Sequence, residues 1–421
     1  MKTLNTDSIK LTVSQYAKKF KKIFDLKLLS TVLALIGIGL ISIYSTTFEA
    51  ETNSFFYKQL IYSLLGITAM MVITFLPEKF LNFYSIIIYI ISLILLIVVL
   101  IFGKTVSGTK GWLIIFGISF QPAEFAKVAT LLLTAKFLSN KGVDIHNLPD
   151  FLKVLIIFLL PLILIMLQPD VGSATVFLTA YIGILFWVGF DLYVLYFLSF
   201  IPVILFFSLF GIWYFIVLSL IFAISSIFFK KGFITTLTFI TIIIIIGFSS
   251  QNLLKMMPRN TQDRIEVFLN KDKDPLGKGY NVIQSLIAVG SGGLSGKGFL
   301  QGSQTQLRYI PEQRTDFIFC VVTEEFGFIG GAIVILLYAF LVKRMLAIAI
   351  DTRSDFLSVL AFGITVIYFY HIFINLGMVL GLLPVMGIPL PLMSYGGTAL
   401  IMNLSMIGLL LNAHREIRAN Y

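Results

Sequence analysis

Long uninterrupted apolar runs recur along this chain, and they limit what it can fold into. A helical segment of about 20 mostly apolar residues matches the hydrocarbon thickness of a bilayer, where only helices and closed barrels satisfy their backbone. Such runs lie near Leu28 to Thr47, Leu60 to Leu76, Leu81 to Phe102, Ala123 to Leu138, Phe151 to Leu167 and Val171 to Phe190. Others lie near Leu192 to Phe210, Ile212 to Phe229, Phe233 to Ser249, Phe317 to Val342, Phe356 to Leu380 and Tyr395 to Leu411. They predict an all-α polytopic membrane protein with about 12 transmembrane helices.

Composition closes off the alternatives. Only 12% of the 421 residues are charged, half of the roughly 25% usual in soluble domains, so no soluble fold could hide this much apolar surface. Cys320 is the sole cysteine, which excludes an internal disulfide framework and cysteine-built metal cages, and His146, His371 and His414 are too scattered to suggest a metal motif. The net charge of +10 reports loop topology on such a chain rather than nucleic-acid binding. The glycine run from Gly290 to Gly298 lacks Walker A spacing and follows no strand, so it reads as a turn. No internal repeat of the inverted-transporter kind is visible.

The basic clusters set the orientation. Lys10, Lys18, Lys19, Lys21, Lys22 and Lys27 precede the first span, and alternation puts Lys230–Lys231, Lys343–Arg344–Arg353 and His414–Arg415–Arg418 on the same side. By the positive-inside rule that side is the cytoplasm. The expected organisation is a basic leader (1–27) with no cleavable signal, helices 1–9 (28–250), an extracytoplasmic loop (251–316), helices 10–12 (317–412) and a cytoplasmic tail (413–421). The leader either lies on the membrane surface or forms a solvated basic tail. Outside fall Lys104 to Gln121, the Gln168–Pro169–Asp170 corner and the long stretch from Gln251 to Arg314, where a reaction centre is expected. Within that stretch Val282, Leu286, Ile287 and Val289 read as a short interfacial or re-entrant helix.

Charges at membrane depth are expensive, so each is a functional candidate. Glu124 and Lys127 are spaced to pair on one helix, either as a structural ion pair or at the site itself. Glu324 and Glu325 lie inside a span, while Asn375 and Asn403 read as packing groups. Pro384, Pro389 and Pro391, followed by Ser394–Tyr395–Gly396–Gly397, make a rigid outer corner. Asp274–Pro275–Leu276–Gly277 has the signature of a β-turn, which on its own leaves Asp274 and Asp272 as turn formers.

The stretch from Asp274 to Phe319, DPLGKGYNVIQSLIAVGSGGLSGKGFLQGSQTQLRYIPEQRTDFIF, closely resembles the SEDS family (shape, elongation, division and sporulation). Supporting blocks occur in the right order at Phe120 to Lys127, Gln168 to Gly172 and Gly387 to Gly397. The run Gly302-Ser303-Gln304-Thr305-Gln306 is similar to elongation-type rather than division-type members. The resemblance implies a GT-C-like membrane fold in the cytoplasmic (inner) membrane. It further implies an enzyme that polymerises lipid II, the lipid-linked disaccharide-pentapeptide, into β-1,4 glycan on the extracytoplasmic face. In this reading Asp274 is the catalytic base, taking the proton of the acceptor 4-hydroxyl as it attacks the donor anomeric carbon, and Asp272 is a bystander.

Substrate-binding candidates in this reading are Lys110, Trp112, Glu124, Lys127, Asp170, Arg264, Lys297 and Arg314. Lys110, Lys127, Arg264, Lys297 and Arg314 are the cations available to the pyrophosphate leaving group. No nucleotide or other cofactor is implied; a divalent cation, Mg or Mn, is compatible with the same task but no motif specifies one. The implied partners are a class B penicillin-binding protein transpeptidase, elongation-complex proteins and membrane lipids. Two departures stand out. Gly111 occupies the place of the family's usual arginine beside Trp112, with Lys110 one position earlier, and the region from Leu192 to Ser249 adds a helix pair to the family's usual ten spans. Rival readings are a lipid II transporter, a division-type polymerase, or a scaffold that recruits a transpeptidase.

Overall fold

The computed structural model describes residues 24–48, 54–106, 108–115, 118–256, 259–269 and 279–419. The leader before residue 24 and the Asp272 and Asp274 turn lie outside the described residues.

Helices occupy each predicted span. In chain order they are α1 (Leu26–Thr47), α2 (Ser54–Phe75), α3 (Glu78–Phe102), α4 (Pro122–Leu138), α5 (Leu148–Met166), α6 (Val171–Trp187), α7 (Leu192–Ser208), α8 (Ile212–Ser226) and α9 (Phe233–Met256). Three shorter helices follow in the long polar stretch, α10 (Arg259–Leu269), α11 (Tyr280–Ser291) and α12 (Ser303–Gln306), before α13 (Ile318–Asp351), α14 (Asp355–Val379) and α15 (Gly397–Ala419). Among the described residues nine helices are long and apolar enough to cross a membrane, while α6 and α7 are apolar but shorter. The interruption of α4 by Glu124 and Lys127 explains its weaker apolar character.

Helix ends follow local chemistry. Asp25 accepts from the Lys27 and Leu28 amides at 3.1 and 3.2 Å, satisfying N–H groups that have no partner inside α1. At the other end of the neighbouring α2, Asn412 of α15 donates to the carbonyls of Ile73, Thr74 and Leu76 at 3.1, 3.2 and 2.6 Å. Such capping matters where water is scarce.

One element departs from the helix-only expectation. Between α3 and α4 the chain forms an antiparallel sheet, β1 (Lys104–Val106), β2 (Thr109–Ile115) and β3 (Ile118–Phe120), with Lys104 opposite Trp112 and Leu113 opposite Phe120. β-Branched Val106, Thr109 and Ile114 suit it.

Helix α13 is broken at Gly327, whose φ of 67° and ψ of −162° suit a residue without Cβ. The carbonyls of Glu324 and Glu325 there accept from Lys297 and Gly298 N at 3.0 Å each, and Phe328 and Ile329 N donate to Gly293 and Leu294 O at 2.9 and 3.2 Å. The glycine run is thus a fixed turn docked on a broken helix.

The centre of the molecule is α14 and α15, which are mostly buried, whereas α8 and α9 are mostly exposed. Helices α7, α8 and α9 form a peripheral group around Phe197, Ile204, Phe215, Phe222 and Ile243. They fall where an added helix pair was expected.

Candidate active site

A cavity of about 410 Å³ opens where β1 and β2, the starts of α4 and α6, helices α10 and α11, and the segments 312–317 and 384–396 converge. Its polar floor is built by α4 and α14. Pro122 starts α4, and one turn separates Glu124 from Lys127, so both point the same way. Lys127 Nζ lies 2.7 Å from Glu124 Oε1 and 3.3 Å from Nε2 of His371, contributed by α14. Exposures of 4% for Glu124, 2% for Lys127 and 3% for His371 keep the charges largely out of reach of bulk solvent. An ammonium and a carboxylate buried this deeply persist only as partners.

The remaining walls are held by polar ties between distant segments. Asp170 Oδ1 accepts from Ser173 N at 2.9 Å, and Oδ2 accepts from Ser173 Oγ at 2.8 Å and Gln121 Nε2 at 3.2 Å. The Asp170 carboxylate therefore caps α6 and fixes the entry of α4. Asn375 donates to the carbonyls of Asp316 and Ile388, both at 2.8 Å, and Ser394 Oγ donates to Thr315 O at 2.6 Å. Asn375 thus joins the two outer loops, a larger part than the packing role expected of it.

On the outer side Arg264 Nη1 donates to Val385 O at 3.4 Å. Arg264 and Asp316 converge on Gly387, where an added Cβ would sit 3.3 Å from Arg264 Nη1 and 3.8 Å from Asp316 Oδ2. Asp316 is half-buried and opens onto the cavity; desolvation, reinforced by Glu312 and opposed by Arg264, pushes its carboxyl up to about 6.

Of the residues singled out from sequence, Trp112, Glu124, Lys127, Asp170 and Arg264 line this cavity. Lys110 turns away, its Nζ donating to Ile101 O at 3.2 Å. Lys297 pairs with Glu324 at 2.7 Å on the docked glycine turn, and Arg314 lies 4.0 Å over the Phe55 ring, its guanidinium pKa lowered mainly by burial. Asp274 lies outside the described residues, but Ile265 before it and Asn281 after it both line the cavity. Sequence reasoning passed over His371, Asp316, Gln121 and Tyr395, which also line it. For His371 the signal was available, since an ionisable group in mid-span is a candidate by default. Among the described residues no three His, Cys, Asp or Glu side chains are grouped to hold a metal ion.

The arrangement of helices and outer loops has counterparts among known proteins. A family model described as cell cycle protein, FtsW/RodA/SpoVE, matches residues 26–220 and 209–419. The chain belongs to the FtsW/RodA/SpoVE family. It is 34% identical over 352 residues to the peptidoglycan glycosyltransferase MrdB of Escherichia coli K12, covering 83% of each chain. It is 31% identical over 420 residues to the peptidoglycan glycosyltransferase RodA of Treponema pallidum, covering 92% of this chain and 97% of that one. A chain solved in a study of structural coordination of polymerization and crosslinking by a peptidoglycan synthase complex superposes with a TM-score of 0.70 at 27% identity, over 94% of this chain and 98% of that chain. The two parts matched by the FtsW/RodA/SpoVE model meet at residues 209–220, inside the peripheral helices.

Proposed function

We propose that this protein is a peptidoglycan glycosyltransferase that polymerises lipid II into β-1,4 glycan strands during cell elongation, from a cavity on the extracytoplasmic face of the cytoplasmic membrane. One observation carries the reading: the cavity gathers the Lys127 and Arg264 cations together with Ile265 and Asn281, described residues that precede and follow Asp274 in sequence. Sidedness is supported by alternation, because every inter-helix segment lining the cavity falls on the side opposite the basic clusters. The names of the relatives support the reaction type.

The chemistry is a single in-line displacement. Asp274 takes the proton from the acceptor 4-hydroxyl as that oxygen bonds to the donor anomeric carbon, and the bond to the polyprenyl pyrophosphate breaks. Negative charge grows on the departing pyrophosphate, where Lys127 and Arg264 stabilise it from fixed positions. A buried ammonium already oriented by Glu124 needs little reorganisation at that moment. A class B penicillin-binding protein is the proposed partner for crosslinking, a pairing supported by the solved synthase complex.

The test is purified protein given lipid II in detergent, where no sidedness exists. Glycan strands made by the wild type and lost in Asp274→Asn, with folding and lipid binding retained, support the polymerase. Lipid II left unchanged in detergent but moved across vesicles would replace this reading with a transporter.

A further inference from the structure

We infer that His371 is a positioning residue that aims the Lys127 ammonium into the cavity, acting as a neutral hydrogen-bond acceptor. The inference rests on the proposed polymerase reading and assigns a role to a side chain that the catalytic scheme does not use.

An ammonium has three N–H donors and no acceptor. One N–H of Lys127 goes to Glu124 Oε1 at 2.7 Å, and the Nε2 atom of His371 at 3.3 Å takes a second. The two partners come from different helices, α4 and α14, which makes their directions independent. With two donors fixed, the third has one remaining tetrahedral direction. Because all three side chains line the cavity, an oxygen of a phosphorylated ligand is the natural acceptor for it.

The imidazole can accept only through an unprotonated Nε2, so the proton resides on Nδ1. The Pro389 carbonyl lies close to the ring, while Nδ1 has no partner of hydrogen-bond geometry among the described residues. The ring is held along α14 by its neighbours: one turn earlier, Tyr368 donates through its hydroxyl to Asn403 O at 2.9 Å, and one turn later Asn375 ties the outer loops. A side chain needed only to fill space here would be apolar, as are Ile372 and Ile374 beside it on the helix.

The role separates from simple packing by choice of variant. Glutamine keeps an acceptor at the end of a side chain of similar reach, whereas leucine and phenylalanine keep bulk without one. Polyprenyl pyrophosphate binding and lipid II polymerisation are measured in lipid nanodiscs for wild type, His371→Gln, His371→Leu, His371→Phe and Lys127→Ala. His371→Leu and His371→Phe should weaken pyrophosphate binding and lower kcat by roughly 10- to 100-fold, the span produced by losing a hydrogen bond to a charged group. His371→Gln should stay within about three-fold of wild type, and adding His371→Leu to Lys127→Ala should change nothing further.

Equal losses in Gln, Leu and Phe, or an additive effect on top of Lys127→Ala, would overturn the inference. Wild-type protein that fails to bind polyprenyl pyrophosphate would overturn it too. Wild-type protein that binds this lipid but makes no glycan would remove the polymerase reading alone, and the binding series would still decide His371.

Discussion

Removing Lys127 while leaving Glu124 in place tests the buried floor of the cavity most directly. At 2.7 Å the two unit charges attract by about 6 kcal/mol at an effective dielectric near 20. Much of that offsets the cost of taking both groups out of water, so the pair contributes little compared with a neutral replacement. The asymmetry lies in breaking it. Lys127→Met leaves a carboxylate of 4% exposure without its counter-charge, at a cost of about 3–5 kcal/mol unless it takes up a proton. Glu124→Gln should cost a similar amount by stranding the ammonium beside the His371 ring. The double variant Glu124→Gln/Lys127→Met should return to within about 1–2 kcal/mol of wild type, because it removes both charges at once. Denaturant unfolding of the four proteins in one detergent, with lipid II polymerisation measured in parallel, reads both properties. Activity should stay lost in the stable double variant. Single losses that simply add in the double variant would show that the residues do not act as a pair, and polymerisation by Lys127→Met would refute its role at the leaving group.

Other expectations concern the outer half of the cavity. The Asp316 carboxyl, lifted by burial to about 6 from 3.8, is protonated in the folded protein over a pH range where the unfolded chain has already ionised. Stability should therefore fall between about pH 4 and 6 and level off above, and Asp316→Asn should gain up to about 3 kcal/mol above pH 6 and nothing below pH 4. Melting curves from pH 4 to 8 check this, and a gain independent of pH would reject it. Arg264→Ala should reduce polymerisation at least ten-fold while Lys297→Ala changes it less than three-fold, because only Arg264 lines the cavity; matching losses in a lipid II assay would undo that assignment. At Gly172 a Cβ would lie 2.5 Å from Met386 O, so Gly172→Ala should push the 384–389 segment from α6. The expected cost is about 1–3 kcal/mol in a denaturant titration, and an unchanged midpoint would mean that the contact yields freely.

The helices were legible because each needs only a local signal, an apolar run of sufficient length, and that signal is strong from Leu26 to Thr47 as it is from Asp355 to Val379. The small sheet was not, since strands as short as Lys104–Val106 carry almost no periodicity. The site divides in the same way. Glu124 and Lys127 reveal their pairing because they are three residues apart, whereas His371 joins them from 244 residues away, a contact set by helix packing alone. Arg264 and Lys297 look alike in sequence, both being basic residues of the same polar stretch. Only tertiary placement separates them, one beside Asp316 at the cavity and the other neutralising Glu324. Asp170 shows the converse, a residue that lines the cavity but whose carboxylate is engaged in holding two helix starts.

The break at Gly327 constrains how the outer half of the molecule can move. The glycine turn supplies, strand by strand, the hydrogen bonds that an unbroken helix would have made for itself around residues 324–329. Peeling it away would break four backbone hydrogen bonds at once and leave four groups of α13, two donors and two acceptors, without partners. The turn is therefore a seam rather than a lid. Under the proposed function, cysteine crosslinks that pin residues 293–298 to α13 should leave lipid II polymerisation intact.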